Sequence, residues 1–132
     1  MTFSESIKHV YTNYATFSGR ASRSEYWWFQ LYFFLGLILI SIFCVSICIT
    51  LGEQYSFVVF LYAAYILAHI VPSLALLVRR LHDSSNSGLL ALLILLSGPG
   101  VLVLFIFTLL ASDGDNKYGK TPLSAPKPAE ND

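Results

Sequence analysis

Three long stretches of this chain carry no Asp, Glu, Lys or Arg: Tyr26 to Gly52, Gln54 to Val78, and Ser84 to Ser112. Each exceeds the about 20 apolar helical residues that cross a hydrocarbon core about 30 Å thick. A helix in a soluble core keeps one polar face, whereas these stretches are apolar all round. The pattern predicts an all-α membrane protein with three transmembrane helices, at about 26–51, 55–78 and 89–110, in a single membrane domain over residues 1–120.

Before the first stretch, residues 3–16 alternate with a helical period. Phe3, Ile7, Val10, Tyr11 and Tyr14 share one face; Glu5, Lys8, His9, Thr12 and Asn13 share the other. This predicts an amphipathic helix that lies in the membrane interface or packs on the bundle. Thr2 and Glu5 have the spacing of a capping box, as do Ser22 and Glu25 just before the first span. Tyr26-Trp27-Trp28 reads as an interfacial aromatic belt. The span is too long for the apolar core of a signal peptide and is expected to remain as an anchor.

Gly52-Glu53-Gln54 is a short turn that makes the first two helices antiparallel neighbours. In the second, Ala64 and Ala68 have the small-xxx-small spacing that admits another helix, and Pro72 frees the carbonyl of Ala68 and predicts a kink. Residues 82–88 read as a polar loop. The third span is expected to be interrupted near Pro99, where Ser97-Gly98-Pro99-Gly100 breaks the hydrogen-bond ladder. Residues 121–132, with Pro122, Pro126 and Pro128, read as a disordered polar tail.

Charge sharpens the picture. Charged residues make up 12 % of the chain, net charge is zero and no basic cluster is large, which excludes a nucleic-acid partner. Lys8, Arg20, Arg23, Arg79 and Arg80 flank the first two spans and the connection between those spans has none, so the N-terminus is expected in the cytoplasm. Three full crossings then put the tail, with Lys117, Lys120 and Lys127, outside. A re-entrant hairpin turning at residues 97–100 would instead bring all eight basic residues inside, a better fit to the charge rule. Its non-helical turn, however, must be buried at depth. The continuous kinked span satisfies its backbone more simply and is the expectation here. Cys44 and Cys48, one turn apart in the first span, read as packing residues, without a disulfide framework or further metal ligands.

Three motifs carry a resemblance: Phe17-Ser-Gly-Arg20-Ala-Ser-Arg23-Ser-Glu25-Tyr26-Trp27; Arg79-Arg80-Leu81-His82-Asp83 followed by Ser87-Gly88; and Gly114-Asp-Asn116-Lys-Tyr118-Gly119-Lys-Thr-Pro122. Their order and spacing resemble the domain-of-unknown-function 805 family of small bacterial inner-membrane proteins, the YhaH/YhaI type. Leu89-Leu90 stand where the family is expected to carry aromatics. The resemblance implies a multi-pass protein of the bacterial inner membrane and brings no activity with it.

Candidate sites follow from the residues. Arg20, Arg23, Glu25, Arg79, Arg80, His82 and Asp83 gather at helix ends on one side of the membrane. They either bind an anionic lipid or ligand, or set orientation and tie the helix ends together. His69, mid-way along the second span, is either a proton-handling group or a neutral ring bonded to a hydroxyl or to the carbonyl freed by Pro72. Ala64 and Ala68 are the candidate helix-packing face; Pro72, Gly98, Pro99 and Gly100 are the helix breaks. No catalytic, metal or cofactor motif appears, so no enzyme activity and no cofactor are expected. Three readings remain: a non-enzymatic protein acting through helix packing with itself or a membrane partner, a transporter or channel component, and an anionic-lipid-binding protein.

Overall fold

The structure, a computed structural model, describes residues 1–52, 55–96 and 98–122, and every element among them is helical. The expected turn residues Glu53 and Gln54, Ser97, and the tail from residue 123 lie outside the described residues. Helix α1 is Phe3–Thr12, α2 is Arg23–Leu51 and α3 is Tyr55–Asp83. A 3-10 helix, Gly88–Leu96, and α4, Gly98–Leu109, complete the fold.

Helix α1 starts on a reciprocal capping box. The Thr2 amide donates to Glu5 at 2.8 Å, and the Thr2 hydroxyl accepts from the Glu5 amide. The amide bond from Thr2 holds the Glu5 carboxyl below its ordinary range, with help from the Thr2 side chain. The helix ends at Thr12 rather than at residue 16, because Asn13 folds its amide back onto His9. Its apolar face packs on the bundle: Val10 is fully buried against Ala21, Phe29 and Leu76.

Helices α2 and α3 run antiparallel. They approach closely at Gly36, where an added Cβ would stand 2.1 Å from the Tyr65 hydroxyl. That hydroxyl donates to the Phe33 carbonyl at 3.0 Å. Pro72 leaves the Ala68 carbonyl without its usual helical partner, and the Tyr14 hydroxyl donates to it at 2.6 Å. Helix α3 runs further than expected, so His82 and Asp83 belong to its last turn and not to a loop.

The third apolar segment corrects the expectation of a through-going span. It folds back on itself. Gly88 lies beside Val78 and His82, and Ile94 lines a groove with Ile70 and Leu74, so the 3-10 arm descends along α3. Helix α4 then returns: Phe105 meets Trp27, and Arg80 donates to the carbonyls of Thr108 and Leu110. Nine 3-10 residues and twelve α residues each reach about 18 Å, so the arms match in length. Both helical forms satisfy their own backbone, which removes most of the objection to a turn at depth. Pro99 does not interrupt a helix; it sits in the first turn of α4, where its missing N–H has no helical partner to lose. Among the described residues, two helices, α2 and α3, are long and apolar enough to cross a membrane.

The hairpin depends on Gly100. A Cβ there would stand 1.9 Å from the Leu93 carbonyl oxygen, a backbone atom that cannot swing aside. Gly100→Ala is therefore expected to destabilise the fold by about 1–3 kcal/mol, the range for overpacking. Thermal unfolding in detergent reads this as a lowered midpoint; a wild-type midpoint would contradict the tight return.

Candidate functional site

The charged residues converge at one end of the α2–α3 pair, around a fully buried carboxylate. Asp83, in the last turn of α3, is 0 % exposed. Its Oδ1 lies 2.8 Å from Arg20 Nη2 and 3.0 Å from Arg20 Nε; its Oδ2 accepts from Arg80 and from the Ser112 hydroxyl. Its main-chain oxygen accepts from Arg20 and from the Asp113 amide. One residue thus joins the segment before α2, the end of α3 and the return of the hairpin.

Every guanidinium nitrogen of both arginine partners is bonded. Arg20 spends its remaining donors on the carbonyls of Asp113, Gly114 and Gly119, which fix the loop after α4. Arg80 places Nε 3.2 Å from the Thr108 carbonyl and Nη2 on that of Leu110. Thr108 is in the last turn of α4 and Leu110 follows its end, where carbonyls have no partner within the helix, so Arg80 is a charged C-cap supplied by another element. The cation also opposes the negative end of the helix dipole.

A second pair lies beside the first. Glu25 follows the Ser22 cap, whose hydroxyl accepts the Glu25 amide at 3.2 Å. Its carboxylate turns inward rather than closing the capping box: Oε1 accepts from Arg79 Nη1 at 3.3 Å and stands 2.8 Å from His9 Nδ1. The Ala21 amide donates to the Arg79 carbonyl at 3.0 Å, fastening the start of α2 to α3. The ring of His82 stacks on Tyr118 at 3.8 Å, and its Nδ1 meets the Gly19 carbonyl at 3.1 Å. Asn116 donates to the His82 carbonyl and to Ser85.

Six of the seven expected cluster residues therefore come together: Arg20, Glu25, Arg79, Arg80, His82 and Asp83. Arg23 does not. It faces outward in the first turn of α2, in a groove with Trp27 and Trp28. His9, Thr108 and Ser112 belong to the cluster and were not anticipated. His9 sat among the polar residues of an amphipathic helix with nothing to mark a distant partner, and the other two join only because the hairpin returns.

The second candidate, His69, is buried 2.8 Å from the Tyr65 carbonyl through Nδ1 and 2.8 Å from the Tyr11 hydroxyl through Nε2. A carbonyl only accepts, so Nδ1 is the donor to Tyr65. Aromatic rings surround it, with Tyr65 at 4.1 Å and Phe33 at 5.5 Å. Ala64 and Ala68 are exposed, with the Tyr14 hydroxyl on the Ala68 carbonyl. Among the helix breaks, Gly100 is buried in the turn while Gly98 and Pro99 are exposed. Among the described residues no group of three His, Cys, Asp or Glu is placed to hold a metal ion.

Long apolar helices locked at one end by buried arginine–carboxylate pairs define a small helical membrane protein. The chain belongs to the family described as Protein of unknown function (DUF805), which matches residues 14–120. It is similar to Inner membrane protein YhaI of Escherichia coli (strain K12), with 42% identity over 114 residues, 86% of this chain and 91% of the relative. It is also similar to Inner membrane protein YhaH of the same organism, with 32% identity over 123 residues, 89% of this chain and 95% of the relative. No solved structure matches.

Asp83→Ala leaves two buried guanidinium groups without their carboxylate. Removing one partner of a buried pair costs about 3–5 kcal/mol. The variant is expected to lose most of its folded, detergent-soluble population. Arg23→Ala, exposed and outside the cluster, should change stability by no more than about 0.5 kcal/mol. Equal thermal stability of the two variants in detergent would remove Asp83 from its central place.

Proposed function

We propose that this chain is an inner-membrane protein that crosses the bilayer twice, inserts a re-entrant hairpin from the cytoplasmic side, and acts without catalysis by packing against a second copy or another membrane protein. The names of its relatives support the inner membrane. The charge distribution supports the orientation: Lys8, Arg20, Arg23, Arg79, Arg80, Lys117 and Lys120 all belong to the clustered end, and no Lys or Arg lies between Arg23 and Arg79. Both terminal regions then face the cytoplasm and the α2–α3 turn faces outside.

One observation carries the packing reading: Ala64 and Ala68 of α3 stand exposed while the polar groups at that depth are already used. His69, Tyr65, Ser41 and Tyr62 are all bonded within the chain. They offer no open relay for a proton or a solute, which weighs against a transporter. The hairpin covers only the part of the helix pair near the charged end; further along, Ile38, Leu39, Ile42, Val59 and Phe60 stand exposed. Against that apolar surface, small residues one turn apart let a neighbouring backbone approach, and van der Waals packing is what associates helices in lipid.

Ala64→Cys, in a chain with Cys44 and Cys48 replaced by alanine, is expected to form a disulfide-linked dimer, or a mixed disulfide with a membrane partner, on oxidation in native membranes. Ala68→Leu should lower that yield severalfold. Protein that stays monomeric and uncrosslinked at this position overturns the reading.

A further inference from the structure

Among the arginines of the cluster, Arg79 is the one left incomplete. Every guanidinium nitrogen of Arg20 and Arg80 has a partner. The side chain of Arg79 is only 3% exposed, its Nη1 makes one long bond to Glu25, and its Nε and Nη2 are buried and bonded to nothing among the described residues. Nε and Nη2 form one edge of the planar group, with parallel N–H bonds spaced for two oxygens of a single carboxylate or phosphate. Leaving a buried donor bare costs about 1–3 kcal/mol, and more when it is charged. Glu25 does not fill this edge, because its bonding oxygen Oε1 is already shared by Arg79 Nη1 and His9.

Three buried guanidinium side chains, Arg20, Arg79 and Arg80, face two buried carboxylates: Arg20 and Arg80 share Asp83, and Arg79 pairs with Glu25. The cluster as a whole holds one more buried cation than carboxylate, and within it Arg79 carries the unused donors. Helix α1 lies alongside, with His9 on Glu25 and Val10 on Leu76 one turn from Arg79, so α1 is the element that flanks the Glu25–Arg79 pair.

We propose that the Nε–Nη2 edge of Arg79 is an oxyanion site that takes two oxygens of a phosphate group. In the orientation proposed above, it lies at the cytoplasmic boundary of the bilayer, the level of phospholipid phosphates. The phosphate belongs either to an anionic headgroup or to a free small ion, and both offer the same oxygen pair.

The test uses the full chain in a phosphate-free maltoside detergent, labelled with 15N-arginine. The Arg79 Nε–H resonance, assigned by its loss in Arg79→Lys, is followed as phosphatidylglycerol is added to the micelles and, separately, as inorganic phosphate is added to micelles free of lipid. A saturable downfield shift with phosphatidylglycerol only identifies a headgroup site; a shift with inorganic phosphate identifies a free-anion site. Arg79→Lys, which keeps the charge but has no planar edge, should weaken retention of the shifting ligand about tenfold in native mass spectrometry, while Arg23→Ala retains it. A resonance unmoved by either addition, or Arg79→Lys binding as tightly as the unaltered chain, overturns the site. Neither result touches the Ala64 crosslinking outcome, so the two readings fail separately.

Discussion

The fold hangs on a carboxylate with no access to water. Asp83 holds two arginines and a serine, and its main chain holds the segment that follows α4. In so dry a place an ion pair adds little net stability over an apolar substitute, but a pair that loses one partner is severely penalised. The cluster therefore acts as a constraint: any arrangement that separates the segment before α2, the end of α3 or the return of α4 strands a buried charge. That is why a segment long enough to cross a membrane turns back. Its far end must deliver the carbonyls of Thr108 and Leu110 to Arg80, and Ser112 to Asp83, at the end from which it set out.

Helix α1 solves a second problem. Pro72 frees a carbonyl in the middle of α3, and His69 brings a ring nitrogen that needs a partner at the same level. Tyr14 takes the carbonyl and Tyr11 takes the nitrogen. The apolar face of an amphipathic helix thus supplies polar tips as well as area: the Tyr11 ring packs against Phe29 and Tyr32, and the Tyr14 ring stacks on Tyr11.

Much of this was legible in the sequence, for reasons that differ by element. Charge-free stretches locate α2, which Ser22 caps, and the start of α3, whose end lies beyond the stretch at Asp83. The gathering of Arg20, Glu25, Arg79, Arg80, His82 and Asp83 follows once those helices are antiparallel, because a short connection puts residues 20–25 beside residues 79–83. The three motifs behind the family resemblance are the three segments that the cluster joins: Arg20 reaches Gly114 and Gly119, and His82 stacks on Tyr118. The path of the third apolar segment was not legible from its length, since 3-10 and α arms fit a hairpin into residues that also suffice for one span. The charge rule favoured the return. What opposed it was the backbone at the turn, and the close approach of Gly100 to Leu93 is how the chain turns with so few residues. Arg23 was misplaced for a simpler reason: two residues before Glu25 on a helix, it faces away from the side that Glu25 buries.

An even number of crossings is the central claim, and reporters fused to the two ends of the chain test it most directly. Under the proposed orientation, green fluorescent protein at either end should fluoresce and alkaline phosphatase at either end should be inactive. Phosphatase activity at the C-terminus combined with fluorescence at the N-terminus would require an odd number of crossings and would contradict the hairpin.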